Sequence, residues 1–292
     1  MRILLITHYF PPLNKVGSLR MYHWAKYWAL EGKDIFVITT QKYHFDGPLD
    51  LDLINPDKVI VNSIPYLPVL GKGKTSSKFE MGYNYHTPSS NTDLLKKFIR
   101  KCRRYIGSLF DIHDLWIRPA TKSGLDLVRN YSIDVIVSSY GPPSTHIVAS
   151  KIKKIHMKIP WIADYRDLWT FNNVTDAKAP FKWIENKIEF STVGKYADAI
   201  TTVSKPMADN LLSRFHKKTL VIENGFDPDE FSFSYHTEYQ RFNNDFCNIV
   251  YAGTIYTGYQ DPTSLFNTVL MLHKEGLLDS ANFKIMFYGE RS

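Results

Sequence analysis

Short runs of β-branched and aliphatic residues alternate along the chain with stretches whose apolar positions recur every three or four residues. Residues 3–6 (Ile-Leu-Leu-Ile) form the first compact apolar run, followed by a loop punctuated by Pro11-Pro12 and Gly17-Ser18. Met21, Trp24, Ala25, Trp28 and Ala29 then fall at i, i+3, i+4, i+7 and i+8, which is one face of a helix. Gly32 stands where that helix would stop, and residues 35–39 and 59–64 read as the next two strands. Further strands are expected at 133–138, 161–163, 199–203 and 220–222, with helices at 144–156, 181–196 and 206–215. Strands alternating with helices predict an α/β fold, a doubly wound parallel sheet buried on both faces.

Residues 70–91 are rich in Gly, Lys, Ser and Asn with little periodicity and read as a long loop. Residues 223–246 are polar and turn-rich, with Asn224-Gly225 and Asp227-Pro228, and read as a linker. A strand at 249–252, a helix at 262–275 and a strand at 283–288 follow. The expected organisation is a first domain over 1–222, a linker over 223–246 and the start of a second domain over 247–292. That last segment is too short to build a second doubly wound sheet with a covered core, so an incomplete second domain is expected.

Composition narrows the class. Of 292 residues 44% are hydrophobic and 22% charged, which is ordinary globular usage and sets aside disordered and fibrous chains. The 36 basic residues outnumber the 29 acidic ones, and the resulting +7 favours anionic partners. Cys102 and Cys247 make neither a disulfide framework nor a zinc-ligand set, and they fit a reducing compartment. The N-terminal apolar run is too short for a secretory signal, and no stretch approaches the roughly 20 apolar residues that span a bilayer. A cytoplasmic protein, or one held peripherally at the inner membrane face, is expected.

In an open parallel sheet, ligands bind beyond the carboxyl ends of the strands. Three loops there are chemically suggestive. After the first strand come His8-Tyr9-Phe10-Pro11-Pro12 and then Gly17-Ser18, where glycine admits close approach and a helix start favours an anion. A bland alternative is a tight turn capped by Ser18. No G-x-G-x-x-G occurs there, which argues against a nicotinamide dehydrogenase. Tyr140-Gly141-Pro142-Pro143-Ser144-Thr145-His146 opens another helix, and His146 would donate to a phosphate or hydroxyl, or else be structural. The densest segment is Asp164-Tyr165-Arg166-Asp167. If the strand continues through it, Asp164 and Arg166 share a face and Asp167 lies opposite. Arginine suits a phosphate, an aspartate suits a sugar hydroxyl or a base, and the alternative is an internal Asp–Arg ion pair.

A fourth cluster is basic: Lys96, Lys97, Arg100, Lys101, Arg103 and Arg104, interleaved with Leu94, Leu95, Phe98, Ile99, Tyr105 and Ile106. It reads either as a helix docking on anionic lipid or as a solvated face. No nucleic-acid module accompanies it, so nucleic acid is not an expected partner.

Four stretches together resemble glycosyltransferase family 4 of the GT-B class. They are residues 3–18, residues 140–169, Ala197-Asp198-Ala199-Ile200-Thr201-Thr202-Val203-Ser204, and Val221-Ile222-Glu223-Asn224-Gly225-Phe226-Asp227. Ile249-Val250-Tyr251-Ala252-Gly253 then resembles the first strand and glycine of the family's nucleotide-binding domain. The resemblance implies two Rossmann-like domains and transfer of a sugar from a nucleotide-sugar donor to a saccharide or lipid-linked acceptor of the cell envelope. It also implies retention of configuration and neither a bound metal nor another cofactor. Asp164, Arg166 and Asp167 would be catalytic, and Gly17, Ser18, Tyr140, His146 and Gly253 would line the substrates. Many relatives carry His-Asp where this chain has Arg166-Asp167, so an aspartate would take the histidine's role or Arg166 would bind phosphate. With the second domain incomplete, the chain alone is expected to be weak or inactive, and a complementing C-terminal half is an expected partner. Two alternatives stay open: a non-catalytic half that binds an acceptor or partner, and a nucleotide-sugar epimerase.

Overall fold

The computed structural model describes residues 1–66, 109, 111–171, 178–231, 247–253, 255, 260–279 and 281–289. The expected loop at 70–91 and the basic cluster Lys96, Lys97, Arg100, Lys101, Arg103 and Arg104 lie outside the described residues, as does 232–246 of the expected linker. The chain divides into two compact units, Met1–Phe226 and Asp227–Ser292.

In the first unit the elements run β1 (Arg2–Ile6), α1 (Val16–Leu30), β2 (Asp34–Thr40), β3 (Val59–Ile64), a 3-10 turn (Ile112–Trp116), α2 (Ile117–Asn130), β4 (Val135–Ser139), α3 (Ser144–Ile155), β5 (Trp161–Tyr165), α4 (Phe181–Glu189), a π turn (Phe190–Gly194), β6 (Ala199–Thr202), α5 (Lys205–Phe215) and β7 (Thr219–Val221). All seven strands are parallel, in the order β3-β2-β1-β4-β5-β6-β7. The chain winds outward from β1 to β3, then returns to β4 and winds the other way, so strand order reverses between β1 and β4.

Alternation along β1 feeds two cores. Ile3 and Leu5 meet Met21, Tyr22, Ala25 and Ala29 of α1 on one face. Leu4 and Ile6 join Ile38, Ile136, Ala120, Val148, Ala149 and Ile152 on the other. Burying each such aliphatic side chain contributes about 1.5–3 kcal/mol, which is why the central strands read as unbroken apolar runs.

Several elements differ from expectation, two of them in ways that bear on the site. Helix α2 was hidden by Pro119 and Gly124, both apparent breakers. Pro119 falls in the first turn, where its missing N–H breaks no helical hydrogen bond. Gly124 is a packing device: a Cβ there would stand 2.3 Å from Ile152 Cδ1 and 3.3 Å from Ile38 Cδ1, so glycine lets α2 lie close against α3 and β2. Strand β5 reaches Tyr165, two residues past the expected end, and stops there, so Arg166 and Asp167 belong to the following loop.

The second unit contains α6 (Pro228–Phe231), β8 (Cys247–Ala252), α7 (Thr263–Lys274) and β9 (Phe283–Tyr288). β8 and β9 pair in parallel from Cys247↔Phe283 to Ala252↔Tyr288, with α7 as the crossover. Helix α6 lies within the stretch read as linker, and β8 begins two residues before the expected strand. Among the described residues no helix is long and apolar enough to cross a membrane.

Candidate functional site

The switch point is flanked by the loops leaving β1 and β4, which lead into α1 and α3. Neither helix has a side-chain cap: Lys15 and Pro143 occupy the cap positions. Each start thus presents first-turn N–H groups and the positive end of the helix dipole at the carboxyl edge of the sheet.

Arg166 projects into this place from the end of β5. Its guanidinium lies 4.2 Å from the centre of the Tyr9 ring. A Cβ on Gly17 would stand 1.3 Å from Arg166 Nη1, and one on Gly141 would stand 3.2 Å from Nη2. Two glycines, one at each helix start, therefore make the room that the guanidinium fills. Gly141 also takes φ +101°, a conformation that disfavours any side chain. Asp167 approaches Arg166 Nε at 3.5 Å but is 57% exposed, against 17% for the arginine, so this pair is a weak surface contact. The structure thus brings Gly17 and Arg166 together with Tyr9 and Gly141 at the switch point, and Asp167 stands at the exposed side of this group.

Asp164 is not part of that group, which corrects its expected catalytic role. It is fully buried, and both oxygens are occupied. Arg20 donates through Nη2 to Oδ1 at 2.9 Å and through Nε to Oδ2 at 3.3 Å. Thr201 Oγ1 donates to Oδ1 at 2.8 Å and Ser139 Oγ to Oδ2 at 3.0 Å. A carboxylate with four donors and no exposed edge has no free face to offer a substrate. Arg20 continues outward to the Glu223 carbonyl at 3.2 Å and Asn224 Oδ1 at 3.1 Å, so one guanidinium ties the end of β5 to the segment after β7. The internal Asp–Arg pair exists, but its arginine is Arg20, which the sequence reading missed. Its signal was an arginine four residues before Trp24 on the apolar side of α1, where the two now stack at 4.5 Å.

His146 is also corrected. It is fully buried and packs among Tyr140, Trp161, Tyr165 and Trp169. Its Nδ1 lies 2.8 Å from Ser138 Oγ, which also accepts from Trp161 Nε1 at 2.8 Å. Burial pushes its pKa down to about 3. Tyr140 is buried and stacks on Tyr165 and Trp169, forming wall rather than contact surface, and burial followed by the Glu185 and Glu189 charges lifts its phenol well above the usual range. Ser18 is buried inside the first turn of α1 and is not its cap.

The His146 shift has a sign. The unfolded chain protonates this imidazole near pH 6.5, whereas the folded chain resists until about 3. Stability is therefore full above about 6.5 and falls as pH drops toward 3, by about 1.4 kcal/mol per pH unit from this group. Between pH 7 and 5 the wild-type chain is expected to lose about 2 kcal/mol more than His146→Gln in urea unfolding. Equal losses in the two proteins would refute the assignment.

In the second unit Gly253 is exposed and closes β8 with φ +149°, and its N–H donates to the Tyr288 carbonyl at 2.8 Å. A Cβ on Gly289 would stand 2.0 Å from the Gly253 carbonyl oxygen, so glycines at both strand ends let the two backbones touch.

A parallel sheet wound both ways from its centre, with helix starts at the reversal point, defines a Rossmann-like α/β protein. The family model "Glycosyltransferase Family 4" matches residues 81–230, half of the chain. The chain belongs to glycosyltransferase family 4. Among solved structures, it is similar in fold to the N-terminal domain of Candida albicans trehalose-6-phosphate phosphatase, with a TM-score of 0.56 and 8% identity over 100% of this chain and 64% of that one. It is likewise similar to OtsA in its apo form, with a TM-score of 0.54 and 11% identity over 99% of this chain and 65% of that one. The chain thus spans just under two thirds of the length of these structures. No curated protein matches the sequence.

Proposed function

We propose that the chain serves a retaining glycosyltransferase of cell-envelope polysaccharide synthesis, moving a sugar from a nucleotide-sugar donor to a saccharide or lipid-linked acceptor. The hollow at the β1/β4 switch point receives the phosphorylated part of a substrate. One observation carries this reading: Arg166 lies between Gly17 and Gly141 at two uncapped helix starts.

The chemistry follows from charge. Breaking a sugar–diphosphate bond leaves negative charge on the departing phosphate, and fixed dipoles and cations stabilise it most when they are already aimed. The Arg166 guanidinium offers a planar fork to phosphate oxygens and lies 4.2 Å from the centre of the Tyr9 ring. With Asp164 enclosed, Asp167 is the open carboxylate of the segment, suited to orienting a sugar hydroxyl. A lipid-linked acceptor would suit the basic residues between Lys96 and Arg104, which would dock on an anionic membrane surface.

The test is calorimetric titration of the 292-residue chain with uridine, guanosine and thymidine diphosphate sugars, with sugar transfer followed in parallel. Binding of one donor that weakens with added salt and is displaced by pyrophosphate is expected. Absence of binding across the panel would overturn the reading.

A further inference from the structure

At the same sheet edge, His8, Asp46 and His113 converge in a cluster that the transfer chemistry leaves unused. They come from the loop after β1, the segment after β2 and the 3-10 turn at Ile112–Trp116, and one ligand atom of each lies within 4.8 Å of the others. The two rings meet edge to face, with centroids 4.3 Å apart.

Each member is held from behind. His8 Nδ1 lies 2.7 Å from Thr40 Oγ1, which leaves Nε2 as the ring nitrogen available to an ion. His113 Nδ1 bonds the Asp111 carboxylate, and Asp111 also accepts the His113 backbone N–H at 2.9 Å, fixing ring and turn together. Asp46 Oδ1 accepts from Tyr66 at 2.7 Å, and Oδ2 accepts from the Tyr43 backbone N–H at 2.8 Å. Yet His113 Nε2 is buried without a hydrogen-bond partner among the described residues, 3.8 Å from Asp46 Oδ1. That separation is too long for a hydrogen bond, and a buried nitrogen without a partner is costly.

A cation between these atoms would resolve the mismatch. Imidazole nitrogens and carboxylate oxygens bind zinc at about 2.0–2.2 Å, which sets neighbouring ligands of a tetrahedral site about 3.3–3.4 Å apart. The His113–Asp46 pair would have to close by only about 0.4 Å to reach it. An imidazole whose far nitrogen is bonded to a carboxylate is the usual outer support of a metal-binding histidine, and Asp111 supplies it here. We propose that His8 Nε2, His113 Nε2 and Asp46 Oδ1 bind one divalent transition-metal ion, with zinc as the best match, clipping together the segments after β1 and β2 and the turn before α2. The ion would be structural and act on the switch-point hollow by position, because Tyr9, which carries Arg166, is the residue after His8.

The test uses the untagged chain, stripped with a chelator and titrated with cobalt(II) by absorption, then with zinc by competition. One ion per chain is expected, with tetrahedral cobalt bands and no thiolate charge transfer, and zinc should raise the urea midpoint. His113→Ala and His8→Ala are expected to weaken binding on the order of 100-fold or more, and Asp111→Asn by about 10–100-fold. Circular dichroism identifies any variant that fails to fold, and Asp111→Asn, which removes no ligand, then decides. A chain that binds no ion would overturn the proposal and leave His113 as a cation paired with Asp46 and Asp111. Binding unchanged in the variants, or a thiolate band that points to the exposed Cys247, would overturn it equally.

Discussion

Asp164→Ala is expected to lower the stability of the first unit by about 3–5 kcal/mol, the cost of leaving a buried charge without its partner. The stranded group would be Arg20, which is 7% exposed and would keep only its neutral acceptors at Glu223 and Asn224. Ser139 and Thr201 would lose their acceptor as well. Asp164→Asn keeps the volume but removes the charge and should fall between alanine and wild type. A double variant, Arg20→Met with Asp164→Leu, should recover much of the loss, because replacing both ions avoids the unpaired charge. All six tryptophans lie before residue 227, so their fluorescence during urea unfolding reports on this unit. A loss below about 1 kcal/mol for Asp164→Ala would show that the pair is not the lock described here.

Arg166→Ala, measured with a complementing C-terminal half, should reduce transfer on the order of 100- to 1,000-fold, the typical cost of removing one fixed donor from a developing anion, with only a small loss of stability. The loss of stability is small because the carboxylate neighbour of Arg166 is solvated and removing the arginine strands no buried charge. Arg166→Lys should recover little, since an ammonium has neither the fork nor the flat face that stacks on Tyr9. The loss should fall mainly on kcat, because charge on the departing phosphate grows in the transition state. A loss under about tenfold, or one confined to KM, would remove Arg166 from the chemistry.

The central strands were legible because a doubly wound sheet buries both faces and writes unbroken apolar runs into the sequence. Helix α2 was not legible, since local rules read Gly124 as a break while its cause lies in Ile152, on another helix. The carboxyl-end loops were found from topology alone, and Gly17 and Arg166 do meet there. What failed was assigning partners inside the Asp164–Asp167 segment. Asp164 bonds a residue 144 positions away, a distance over which no spacing rule operates. His8, Asp46 and His113 are invisible for the same reason: each sits alone in sequence, and only the strand order brings them together.

The fit of Arg166 against Gly17 and Gly141 means that these three positions are interchangeable only as a set. A methyl group at 17 demands a shorter or displaced side chain at 166, and a shorter side chain at 166 leaves a gap that alanine at 17 would fill. Redesign of the phosphate-side chemistry in this fold is therefore a problem of shape before it is one of charge.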